Sequence, residues 1–142
     1  MPGRTLRRVV RVTIGLVAAA LALGCGSSSD GTDGQLEQGK TLTVASDAKR
    51  VTMEISAEGD HYAQGRNVFL AQFDPPSTVL VGATAFMPVH GHATPAPPTI
   101  AEQDGGYRIS DFIFSMPGLW NVTFDVTLDT KSDKVEFSLD VP

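Results

Sequence analysis

The chain has 142 residues, 42% of them hydrophobic, and a formal charge of −5, which suits one folded domain together with an additional apolar segment. Nucleic acid is excluded as a partner, because phosphate binding needs a basic stripe and four of the seven arginines fall within the first eleven residues. A single cysteine rules out a disulfide framework.

Arg4, Arg7, Arg8 and Arg11 precede the apolar run from Val12 to Leu23. This is the positive n-region and short h-region of an export signal, and the run falls short of the roughly 20 residues a permanent bilayer span requires. Cys25 follows directly, in Leu21-Ala22-Leu23-Gly24-Cys25. The segment resembles a bacterial lipobox, in which small residues precede a cysteine that is lipidated and becomes the new N-terminus. Leu is usual three residues before that cysteine, where this chain has Ala22. The alternative is a plain secretory signal cleaved near Gly24, which leaves Cys25 as an unexplained free thiol. Acyl chains contribute about 0.8 kcal/mol per buried methylene, so several of them anchor a protein durably. Residues 1–24 are therefore expected to be a lipoprotein signal peptide.

Gly26 to Gly34 reads GSSSDGTDG, with no apolar side chain whose burial would offset the entropy of ordering. Residues 25–35 are expected to be the lipidated cysteine and a flexible tether, and 36–142 the globular domain. The expected location is the cell envelope. No Asp follows Cys25, which by resemblance to enterobacterial lipoproteins favours the outer membrane, facing the periplasm, over the inner membrane.

The domain reads as all-β, since apolar residues recur at every second position and no window keeps a 3.6-residue period. Strands are predicted at Leu42–Ala45, Val51–Ala57, Asn67–Phe73, Val79–Met87, Tyr107–Phe114, Trp120–Leu128 and Val135–Val141. Asn67–Phe73 is the most uniformly apolar and suits a central strand. The polar segment Asp129–Lys134 suits the turn between the last two. About seven strands in a domain of this size predict an immunoglobulin-like antiparallel β-sandwich.

Candidate chemistry gathers at Met87-Pro88-Val89-His90-Gly91-His92, followed by a loop with three prolines between Ala93 and Pro98. Gly91 allows backbone angles that would aim both imidazoles at one point. Met116-Pro117-Gly118 is a second methionine-bearing turn before Trp120. Thioether sulfur from Met87 or Met116 would make such a site soft and favour copper, Cu(I) above all, over magnesium or calcium. The candidate metal ligands are thus Met87, His90, His92 and Met116, with Gly91 and Trp120 in structural roles.

Bland readings stand beside these. Met87 ends an alternating stripe and suits core filling, Trp120 suits a core anchor, and Met116 suits an edge cover. His90 and His92 supply two of the three or four donors that a copper or zinc site needs. His61 is isolated and is assigned no role. Asn121-Val122-Thr123 matches a glycosylation acceptor but lies inside a predicted strand.

At these residues the chain resembles the YtkA-like domains, which are related in character to FixH proteins and small periplasmic copper-handling sandwiches. The resemblance runs from about Gly65 to Val126 through Gly65-Arg66-Asn67, Gly82-Ala83, the Met87–His92 motif, Tyr107 and Phe114-Ser115-Met116-Pro117-Gly118-Leu119-Trp120. The family motif more often reads Met-Pro-x-Met-Gly-His, so His90 stands where methionine is usual. The resemblance implies an accessory module of copper and membrane-redox systems with no reaction of its own. Three functions follow as expectations: a lipid-anchored copper-binding or delivery module, an interaction module holding an envelope protein partner without metal, and an enzyme. The last is the weakest, because the chain has no Ser-His-Asp pattern, no glycine-rich phosphate loop and no cysteine left for catalysis. A non-enzyme is expected.

Overall fold

The computed structural model describes residues 34–142, so the expected signal, Cys25 and the tether up to residue 33 lie outside the described residues. Ten strands form two five-stranded sheets, and no helix longer than the 3₁₀ turn at Glu58–Asp60 occurs among the described residues. In chain order the strands are β1 (Gly34–Leu36), β2 (Leu42–Ala45), β3 (Thr52–Ala57), β4 (Gly65–Asp74), β5 (Val79–Met87), β6 (His92–Ala93), β7 (Thr99–Gln103), β8 (Gly106–Phe114), β9 (Gly118–Leu128) and β10 (Lys131–Val141). One sheet runs β1-β10-β9-β5-β6 and the other β2-β3-β4-β8-β7. The expected all-β sandwich is the observed fold.

The wiring has the immunoglobulin pattern. Strands β4, β8 and β7 take the places of B, E and D, while β10, β9, β5 and β6 take those of G, F, C and C′. The β2–β3 hairpin extends the first sheet beyond β4. β1 pairs in parallel with β10, Gly34 beside Phe137 and Leu36 beside Leu139.

All seven expected strands are present, and the period-2 pattern explains why. Val122, Phe124 and Val126 of β9 are buried, as are Val135, Phe137 and Leu139 of β10, and both strands turn their polar alternates outward. Three short strands, β1, β6 and β7, were not expected. Each lies at a sheet edge, and β7 has four exposed residues in five, so none of the three carries the apolar alternation that marks a strand in sequence. In β1 the Gly34 and Gln35 backbones pair with β10 although their side chains give nothing to the core. The turn expected at Asp129–Lys134 is shorter. Asp129 and Thr130 alone reverse the chain with positive φ of 49° and 67°, the two-residue hairpin geometry that matches strand twist, and Lys131–Lys134 belongs to β10.

The core is aromatic through its middle. Phe69 meets Phe112 and Phe114 edge-on at 5.7 and 6.2 Å between ring centroids, and Phe114 meets Trp120 at 5.3 Å. Such pairs add to the burial of large rings. Tyr62 ties the two sheets together, and Asn67 shapes the loop that enters β4. The Tyr62 hydroxyl donates to the Leu36 carbonyl at 2.6 Å, and the Asn67 side chain bonds both the amide and the carbonyl of Ala63 at 2.8 Å, beside the register shift in the β4–β8 pairing.

Candidate functional site

The histidine motif forms a hairpin at one end of the sandwich. β5 ends at Met87, four residues turn the chain, and β6 returns with His92 opposite Met87 and Ala93 opposite Phe86. The Gly91 amide donates to the Met87 carbonyl at 2.9 Å, and the Thr94 amide to the Ala85 carbonyl at 3.0 Å. Gly91 adopts φ +65°, a left-handed conformation that costs a β-carbon-bearing residue energy.

His90 and His92 are both exposed. Their ring centroids lie 6.3 Å apart with planes inclined by 32°. Val89, between Pro88 and His90, is 80% exposed, so the hairpin projects from the fold and is not packed into it.

Met87 points the other way. It is buried among the core residues, and a β-carbon at Gly118 would sit 3.2 Å from its methyl. Gly118 has φ +119°, so both its conformation and its lack of a side chain let the β8–β9 connection close over Met87. Its surroundings are those of a packing residue, as its place in the alternating stripe also implied. Trp120 is fully buried, and its indole N–H donates to the Met116 carbonyl at 3.0 Å. Met116 is half-buried against the core. The two motifs, far apart in sequence, therefore meet at one end of the molecule: Trp120 anchors the Met116 turn, and that turn lies against Met87 at the base of the histidine hairpin.

The donors nearest to solvent are the two imidazoles. Among the described residues no group of three or more His, Cys, Asp or Glu side chains is placed to share an ion. His61 is exposed just after the 3₁₀ turn, away from the pair in the chain.

Two features escaped the sequence reading. The first is an apolar collar around the hairpin: Phe86 and Leu119 remain 46% and 45% exposed beside Val89. Phe86 pairs with Asn121, which sets Leu119 diagonally across from it on the outer face of the sheet. A signal was available, since no Asp, Glu, Lys or Arg occurs from 75 to 101 or from 112 to 124. The second is an open depression of ≈ 400 Å³ lined by Val81, Asp125, Thr127, Ser132 and Lys134 among others. It shares no residue with the histidine hairpin and holds no convergent donor set.

Among the described residues no helix is long and apolar enough to cross a membrane. Comparison of the chain with protein-family models, with curated protein sequences and with solved structures finds no match.

Proposed function

We propose that this chain is an envelope lipoprotein with a YtkA-like domain that binds copper at the hairpin carrying His90 and His92, in metal handling or delivery. The observation that carries the reading is the exposed imidazole pair, 6.3 Å between centroids, at the same end of the fold as the Met116 turn. Nitrogen ligands sit about 2.0–2.1 Å from a zinc ion and at similar distances from copper, so two exposed rings at this separation reach one ion by side-chain rotation. Imidazole suits copper well, and among the described residues Met116 is the thioether with access to solvent. Burial of Met87 shifts the donor set toward nitrogen and so toward Cu(II).

Such a site is open. Two protein donors leave coordination positions for water or for the ligands of a recipient, which is what handing over an ion requires. The lipobox-like segment ending at Cys25 supplies the anchor in this reading. The alternative is an interaction module of an envelope complex without metal, and the exposed Phe86, Val89 and Leu119 favour it.

Competition titrations of the full chain in detergent with Cu(I) and with Cu(II) separate the two. The copper reading expects binding that weakens at least tenfold when His90 and His92 are both changed to alanine. Equal, weak binding by both forms contradicts it and leaves the metal-free module.

A further inference from the structure

We propose that one Cu(II) ion joins two copies of this chain end to end, each copy contributing His90 and His92. This rests on the copper reading of the same hairpin and completes its coordination.

Three observations lead there. The hairpin offers two imidazoles, and no third His, Cys, Asp or Glu among the described residues converges on them. A stable copper or zinc site takes three or four protein donors. A two-fold axis through the ion doubles the pair to four nitrogens, a complete set for tetragonal Cu(II), and a two-fold contact needs only that one patch face itself.

The second observation is charge. Acidic residues outnumber basic ones fourteen to seven between positions 34 and 142, so most approaches of two copies are repulsive. The hairpin tip is the exception, because residues 85–101 carry no Asp, Glu, Lys or Arg, although Glu37, Glu58, Asp60 and Asp140 lie at the same end of the sandwich. Contact through the two hairpin tips alone sets no charged side chain of residues 85–101 against its like.

The third is the collar. Val89 projects beside the histidines at 80% exposure, with Phe86 and Leu119 half exposed on the adjoining sheet face. In the paired form these side chains cover one another around the ion and exclude water from it. Three apolar side chains per copy fall well short of the roughly 1,000 Å² that a lasting interface buries. Pairing therefore depends on the metal, and a recipient protein with two donors of its own displaces the second copy to take the ion.

Sedimentation velocity of the full chain in a density-matched non-ionic detergent tests this with Cu(II) as the probe. The expected result is a doubling of protein mass that saturates at half an equivalent of Cu(II), reverses with EDTA and is lost in the His90→Ala/His92→Ala variant. Val89→Lys is expected to weaken pairing at least tenfold, since it sets two cations across the axis while leaving every ligand in place. One tightly held Cu(II) per chain without a change of mass overturns the shared site and leaves the copper reading intact. Absence of bound Cu(II) overturns both. Doubling that persists without copper or without the histidines overturns the proposal as well.

Discussion

At one end of the sandwich the β2–β3 turn and the start of β10 are tied by polar contacts, whereas at the other the β5–β6 and β8–β9 loops close over apolar side chains. In the polar end the Asp47 amide donates to the Lys134 carbonyl at 2.8 Å, the Ala48 amide to the Asp133 carboxylate at 3.2 Å and the Arg50 guanidinium to the Ser132 carbonyl at 3.0 Å. The Ser46 hydroxyl accepts the amides of Arg50 and Val51 at 3.2 and 3.1 Å. The bonds to Lys134, Asp133 and Ser132 join the two sheets. The apolar end is held from beneath, by Trp120 and Met87, and this leaves the side chains above them unused by the fold. His90, His92 and Val89 are exposed because nothing in the packing requires them. The difference separates an end that serves stability from an end available for binding.

The sharpest way to break the comparison is at Trp120. Its replacement by alanine empties the apolar end and frees the Met116 carbonyl, and urea unfolding is expected to show a loss of about 3–5 kcal/mol. A loss below about 1 kcal/mol would mean that the β8–β9 turn is held by something other than its buried indole. The polar end is tested by Asp133→Ala, expected to cost about 1–3 kcal/mol because the Ala48 and Lys134 amides lose their acceptor.

Asp133 also gives that end a pH signature. Burial by itself would raise its carboxyl, but hydrogen bonding from Ser46, Lys134 and Ala48 and the charge of Arg50 prevail and hold it below the usual carboxylate range. A carboxyl lowered in the folded state contributes stability above its unfolded value of about 3.9 and loses that contribution as pH falls through the folded value. Wild-type stability is expected to drop on acidification below about pH 4 more steeply than that of Asp133→Ala, by denaturant midpoints across pH.

A smaller effect is expected at Tyr62, in the loop between β3 and β4. Burial first, then the charges of Asp140 and Glu37, raise its phenol, so it stays a donor to Leu36 at neutral pH. Tyr62→Phe is expected to cost about 0.5–1.5 kcal/mol and to speed amide exchange in β1 more than in β9. The smallest effect belongs to the binding end. The His90→Ala/His92→Ala pair is expected to change stability by no more than about 0.5 kcal/mol, measured without metal. A larger loss would make the histidines part of the fold.

Much of this architecture is legible in the alternation of apolar residues. β9 and β10 announce themselves through Val122, Phe124, Val126, Val135, Phe137 and Leu139, because each alternate residue must face a core for the strand to gain from burial. β6 and β7 have no such obligation. They are held by backbone pairing with β5 and β8, which side-chain patterns do not record. The two-residue turn at Asp129–Thr130 hid inside a longer polar run, since Lys131, Ser132 and Lys134 face solvent whether they stand in a strand or a turn. At the site, the Met87–His92 and Met116–Trp120 motifs could be picked out from residue type, but their meeting depends on β5 and β9 being neighbours. Met87 looks like a ligand beside two histidines, while its position on the inward phase of β5 sends it into the core. The cross-sheet contacts of Asp133 gave no local sign, because their partners lie some 85 residues away.

Electron paramagnetic resonance of the full chain with substoichiometric Cu(II) tests the central claim most directly. The account predicts hyperfine structure from imidazole nitrogen that disappears in the His90→Ala/His92→Ala variant. A spectrum without nitrogen coupling, or one unchanged by removal of both histidines, would contradict it.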